Sequence, residues 1–384
     1  MPELFDLQKI ITLRHELHSC AELSESEFVT SEQIAFYLSQ LNPDNLIRGI
    51  GGNGIACIFK GTLEGPSVLF RCDMDALPID EANDFSYASK EKGVSHKCGH
   101  DGHMAIVAGL AEVFSKNRPS KGQVVLLFQP SEENGQGALR VVEDEKFKQI
   151  RVDYAFALHN LPGYPKGAVV LKENTFASAS KGMIIKLHGK TSHAGEPENG
   201  ISPALAMSKI IEGLIELPNK KELFTDFTLV TVIHARLGEV AFGTSPGHAV
   251  VMATLRSYSD NDMDVMAKNA ELLVNEISNM YQLKHEIEYV EDFPATINDN
   301  QMVKFVEESA QNNQYQITYL EKPFRWSEDF AHFTQRFPGA LFGLGSGLNH
   351  PQLHNPDYDF PDDIIEPGVK MFYEIYQRMI KKGD

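Results

Sequence analysis

Cysteine is scarce in this chain. Cys20, Cys57, Cys72 and Cys98 are the four in 384 residues. That is too few for a disulfide scaffold and points to a reducing compartment, where a cysteine in a special setting acts as ligand or nucleophile. Basic charge is also in short supply: 35 Lys and Arg stand against 53 Asp and Glu, a formal net charge of −18. Phosphate backbones need a basic face, so no nucleic-acid partner is expected. An anionic small substrate needs only a local cation and stays open. No run approaches the ~18 apolar residues that span a bilayer, so no membrane partner is expected either. The opening stretch MPELFDLQKIITLRHELHSC mixes acids, bases and apolar residues at helical spacing. It has neither the uninterrupted apolar segment nor the small-residue cleavage site of a signal peptide, and a cytoplasmic protein is expected.

What is present is an ordinary globular composition, 42% hydrophobic and 23% charged, in a chain long enough for two domains. Residues 6–19 and 25–41 carry apolar positions three and four apart, the pattern of helices. GIACIFKG (54–61) and SVLFRCDMD (67–75) read as strands, and DGHMAIVAGLAEVF (101–114) reads as a helix with Asp101 as its N-cap. GQVVLLFQPSEE (122–133) and DYAFALHNLPG (153–163) are buried strands. Such alternation implies an α/β sheet covered on both faces.

Between about 180 and 292 the rhythm changes to a strand (182–190), a helix (201–216), two strands (227–238 and 248–259), a helix (261–281) and a last strand (284–292). That is the β-α-β-β-α-β order of ferredoxin-like domains. Alternation resumes through GALFGLGSG (339–347) and a closing helix over 362–381. The expected organisation is a discontinuous main domain, 1–179 and 293–384, interrupted by an α+β insert, 180–292, that serves as a lid or dimerisation module.

Residues capable of metal chemistry collect at the strand ends of the main domain, where open α/β sheets bind ligands. RCDMDALP (71–78) carries Asp73 and Asp75, and KCGHDGH (97–103) carries Cys98, His100, Asp101 and His103. FQPSEENGQGA (128–138) supplies Glu132 and Glu133, FALHNLPG (156–163) supplies His159, and GLNHPQLHNPDYDF (347–360) supplies His350 and His354. Singly each has an ordinary explanation: a capped or solvated histidine, or glutamates favouring a helix dipole. Several unrelated loops sharing one property at one sheet edge is not an ordinary coincidence. Cys98 and His100 are two apart, so an extended backbone projects both to one side. Thiolate, imidazole and carboxylate together suit Zn, Mn, Co or Ni rather than Ca or Mg. Adjacent glutamates in extended chain point opposite ways, so one can ligate metal while the other faces substrate as a general base.

The set DMDALP, CGHDGH, QPSEENGQGA, LHNLP, GKTSHAGEP, SEDF and LHNP, in that order from residue 73 to 356, resembles the aminoacylase/carboxypeptidase amidohydrolases, peptidase family M-twenty, subfamily D. That group includes hippurate, N-acetyl-amino-acid, acetyl-diaminopimelate and auxin-conjugate hydrolases. The resemblance implies a zinc-exopeptidase-like three-layer catalytic domain with an inserted ferredoxin-like lid. It implies two divalent ions per subunit, Mn or Zn foremost and Co or Ni as further candidates, held by Cys98, His100, Glu133, His159 and His354 with a bridging thiolate. Glu132 matches the general base and Asp75 the positioning aspartate. Asp73 occupies the place where more distant relatives carry a histidine, and it is given a supporting role with Asp101 and His103. His193 matches the residue that donates to the oxyanion, often from the partner subunit of a homodimer, and Arg256 matches the arginine that holds a substrate carboxylate. Gly243 departs from the family, which often has an asparagine there.

The reaction expected is hydrolysis of an N-acyl, foremost N-acetyl, amino acid by water activated between two metals. Three other readings use the same residues differently. A carboxypeptidase or dipeptidase would need a longer acyl-side pocket, a non-catalytic binding protein would be expected to have lost ligands or base, and a metal-storage protein would not need Glu132 beside its metals.

Overall fold

The computed structural model describes residues 5–381. The chain divides into two compact units. The first comprises residues up to Phe176, Thr296–Lys322 and the residues from Asp329 onward; the second comprises Ala177–Ala295 and Pro323–Glu328.

The first unit is built on an eight-stranded mixed sheet. Its spatial order is Asn45–Ile50, Gly54–Lys60, Lys121–Gln129, Leu63–Asp73, Tyr154–Pro162, Gly339–Gly347, Val169–Leu171 and Ile317–Tyr319. Lys121–Gln129, Leu63–Asp73, Tyr154–Pro162 and Gly339–Gly347 run parallel as neighbours. Their carboxyl ends therefore lie along one edge, and the loops that follow them are brought together. Burial is nearly continuous along these strands, as expected where both faces are covered.

Alternation divides the residues of one strand between the faces. In Leu63–Asp73, Val68, Phe70 and Cys72 join the large apolar core beneath the helices Leu7–Ser19, Phe28–Ser39, His100–Lys116, Asn300–Asn312 and Ile365–Lys381. Phe70 packs there on Phe372 and Phe156 with ring centroids 4.9 and 6.0 Å away; full burial of one such side chain contributes about 1.5–3 kcal/mol. Arg71 and Asp73, two apart, share the other direction and form a buried ion pair at 2.8 Å.

The second unit contains a four-stranded antiparallel sheet in the order Thr228–Leu237, His248–Ser257, Ala179–His188, Lys284–Phe293. Met183, Ile185 and Leu187 alternate inward with Val251, Ala253 and Leu255. They meet the apolar faces of the helices Ala204–Glu216 and Asp260–Met280, the latter capped by the Ser259 hydroxyl. No helix among the described residues is long and apolar enough to cross a membrane.

Candidate metal centre

The parallel strands deliver the chemistry to one edge of the first unit. Asp73 ends its strand, Asp75 follows two residues later, and Glu132 and Glu133 lie in the turn after Lys121–Gln129. His159 lies within Tyr154–Pro162, and His354 lies in the long connection after Gly339–Gly347. His100 opens the helix His100–Lys116. Two groups of ligand atoms, each within 4.8 Å of one another, share the Cys98 sulfur: Cys98, His100 and His159, and Cys98, Glu133 and His354. A third joins His100 to Glu132 and Glu133.

The histidines are oriented from behind. His100 Nδ1 lies 2.8 Å from the Asp75 carbonyl oxygen, and His159 Nδ1 lies 2.9 Å from that of Asn160. Each Nδ1–H donates to a carbonyl, which leaves Nε2 as the ligating nitrogen. His159 Nε2 stands 3.5 Å from Cys98 Sγ. His100 Nε2 is 3.8 Å from Glu133 Oε1 and 3.9 Å from Glu132 Oε2. Both His100 Nε2 and Glu133 Oε1 are buried without a hydrogen-bond partner. Orphaned polar atoms of this kind are costly unless something completes them, and a divalent cation fits a donor set of thiolate, imidazole and carboxylate.

Electrostatics favour a cation at the same place. Burial works against protonation of His100, but Asp73, Asp75 and Glu133 outweigh it and push the ring up to about 10. Burial raises the Glu133 carboxyl to about 7 against the pull of His100. Burial, helped by His103, lowers His159 to about 3, so its imidazole is neutral and available as a ligand.

Supporting contacts surround the cluster. The Asp75 carboxylate accepts the backbone N–H of Glu132 on Oδ1 and of Glu133 on Oδ2, both at 3.0 Å, and the Ser24 hydroxyl at 2.6 Å. Asp73 accepts Arg71 at 2.8 Å and lies 2.7 Å from His103 Nδ1. His103 Nε2 is 2.5 Å from Asn160 Oδ1.

Three local expectations are corrected. Asp101 is not the helix N-cap: Gly99 is, at φ +92°, and the Asp101 carboxylate is taken by Arg14 at 3.0 Å and His18 at 2.8 Å. Cys98 and His100 are not on extended backbone, because the chain turns through left-handed Gly99 into the helix. Glu132 and Glu133 are not on extended chain either. Ser131 takes φ +57° and the glutamates occupy a turn, so both carboxylates approach His100.

His193 and Arg256 belong to the second unit. His193 is exposed on the short pairing Ser192–His193 with Thr244–Ser245. Its Nδ1 accepts the Gly195 N–H at 3.0 Å, which leaves Nε2 as the protonated, donating nitrogen. Gly243 accepts the Ala194 N–H at 2.9 Å. A Cβ there would meet nothing within 4 Å, so packing does not require glycine at this position. Arg256 donates to the Arg325 carbonyl at 2.8 Å and the Ser327 hydroxyl at 3.2 Å.

The profile described as Peptidase family M20/M25/M40 matches residues 69–378, a span that takes in every residue of the cluster. The chain belongs to that family. It is 30% identical over 382 residues to an N-acetyl-L-cysteine deacetylase of Bacillus subtilis (strain 168), with 98% of this chain and 89% of that protein covered. An N-acetyldiaminopimelate deacetylase of Anoxybacillus flavithermus is 30% identical, covering 93% and 94%. Among solved M20-family structures, a dinuclear metal binding peptidase from Bacillus subtilis superposes with a TM-score of 0.82 at 25% identity, covering 98% of each chain.

Several supporting residues went unread in the sequence. Arg71 spans Asp73 and Asp329, the latter at 2.6 Å. Glu27 accepts the Ser131 N–H at 2.8 Å. Lys97 is fully buried beside Cys98. Asp329 lies 258 residues from Arg71, Ser131 lies 104 from Glu27 and Tyr358 lies 261 from Lys97, so no local spacing announces these contacts.

Proposed function

We propose that this M20-family chain is a metal-dependent amidohydrolase of N-acyl, foremost N-acetyl, amino acids, releasing a carboxylic acid and a free amino acid. The observation that carries the reading is the pair of ligand groups sharing the Cys98 sulfur, with Glu132 beside them. The deacetylase names borne by relatives that cover nearly the whole chain support the substrate class.

Cys98, His100 and His159 would hold one divalent ion, and Cys98, Glu133 and His354 the other, with Mn or Zn foremost. Such ions, when bound, supply Lewis acidity that acidifies water and polarises the amide carbonyl. Glu132 takes the proton of the attacking water on a carboxylate oxygen and returns it to the leaving nitrogen, acting as base and then as acid. Asp75 fixes that carboxylate by holding the backbone on which it hangs. The His193 Nε2–H donates to the developing oxyanion, an interaction worth about 3–4 kcal/mol per donor. Arg256 takes the substrate carboxylate, Asp73 and His103 brace the ligands, and Asp101, held by Arg14 and His18, steadies the first turn of the helix that begins with His100.

The second unit is read as a ferredoxin-like lid through which two copies pair. Its edge strand Thr228–Leu237, with Ile233 exposed, supports pairing. The cytoplasm suits four cysteines that are all free. The experiment is Glu132→Gln: turnover should vanish while metal content stays at the wild-type level. Wild-type turnover in that variant would remove Glu132 as the base.

A further inference from the structure

A lysine with no exposed surface needs a reason, because a buried ammonium is costly unless it is paired. Lys97 is such a lysine. Its Nζ donates to Glu81 Oε1 at 2.5 Å and to the carbonyl oxygen of Tyr358 at 2.8 Å. Its own carbonyl oxygen accepts the backbone N–H of His354 at 2.7 Å. One residue thus grips the connection after Gly339–Gly347 at two points four residues apart, by its main chain at His354 and by its side chain at Tyr358.

That connection has no helix or strand of its own between Leu348 and Pro361. His354 within it sits at φ +66°, a left-handed conformation that a histidine keeps only when its surroundings impose it. The His354 side chain is about half exposed, at 51%, so packing does little to aim the ring. The backbone anchors must do so. Cys98, which follows Lys97, is common to both ligand groups, so any difference between the two positions has to come through His354, which is in only one of them. His100 and His159, by contrast, receive their orientation from the Asp75 and Asn160 carbonyls; Lys97 touches neither, and the Tyr358 hydroxyl meets Asn160 at its side-chain amide rather than at that carbonyl.

We infer that Lys97 is a positioning residue for one metal only: by clamping the turn His354–Tyr358 it sets the occupancy of the position held by Cys98, Glu133 and His354. The position held by Cys98, His100 and His159 does not depend on it. This rests on the two-metal reading above.

The test is ion stoichiometry and affinity, measured by elemental analysis and chelator competition with Zn on metal-stripped, refilled protein. Wild type should hold two ions per chain. Lys97→Met should hold the tighter ion unchanged and bind the second at least about tenfold more weakly, as loss of an outer-shell partner does. His354→Ala should reproduce that one-ion state. Because Lys97→Met takes Lys97 from Glu81 but leaves it His18 at 3.0 Å, Lys97→Met/Glu81→Gln removes the Lys97–Glu81 pair as a unit and should show the same selective loss. Thermal melting of the metal-free proteins separates positioning from general support. A variant that loses both ions in parallel, or that keeps both at wild-type affinity, overturns the inference. A wild-type chain that never takes a second ion removes the two-metal reading itself, and this inference with it.

Discussion

Oδ1 of Asp75 accepts the backbone N–H of Glu132 at 3.0 Å, while Oδ2 accepts that of Glu133 at the same distance. One fully buried carboxylate therefore hangs both glutamates from the end of a neighbouring strand. The turn they occupy begins at Ser131 in a left-handed conformation, and Asp75 makes that geometry sustainable. Replacing Asp75 by Asn keeps the size but turns one acceptor into a donor facing an N–H. The expected result is a 10- to 100-fold fall in kcat with a smaller change in KM. Steady-state kinetics on the same N-acyl amino acid for both proteins checks it; unchanged kcat would contradict it.

Gly99 tests how tightly the ligand segment is packed. A Cβ there would lie 2.8 Å from the Asn160 side chain and 2.9 Å from the Tyr358 hydroxyl, at φ +92°. Gly99→Ala combines strain with overpacking, each costing about 1–3 kcal/mol. Denaturant unfolding of the metal-free protein should show a loss of about 2–6 kcal/mol. A loss under about 1 kcal/mol would mean that the segment is looser than these distances imply.

The pH dependence of stability follows from His18. Burial disfavours its charge, yet Asp101 and Glu81 more than offset this and raise it from 6.5 to about 9. A raised folded-state value means that the stabilisation is complete below pH 6.5 and is lost as the pH rises through about 9. The melting temperature of wild type should therefore exceed that of His18→Gln by most below pH 6.5, and the gap should narrow above pH 9. A gap that widens across this range would mean that His18 is neutral in the folded protein.

Much of the frame was legible because it is written locally. Val68, Phe70 and Cys72 alternate with Leu69 and Arg71, and runs such as VVLLF at 124–128 are apolar enough to be buried on both faces. Parallel order then carries the acids and histidines at the strand ends to one edge without further information. What could not be read is what depends on distant partners or on single dihedral angles. Asp101 looked like an N-cap because its place before an apolar helix is right for one. Arg14, 87 residues away, claims it instead. Glu132 and Glu133 were expected to diverge because nothing in PSEE announces that Ser131 turns left-handed. Lys97 opens KCGHDGH, yet nothing in that motif announces its burial, since Glu81 and Tyr358 lie 16 and 261 residues away.

The most direct test of the whole account is amine release from a panel of N-acyl amino acids by metal-stripped protein refilled separately with Zn, Mn, Co or Ni. Stripped protein should release no amine, and refilling should restore release from N-acyl, foremost N-acetyl, substrates. Refilled protein that holds two ions per chain and cleaves none of the panel would contradict it.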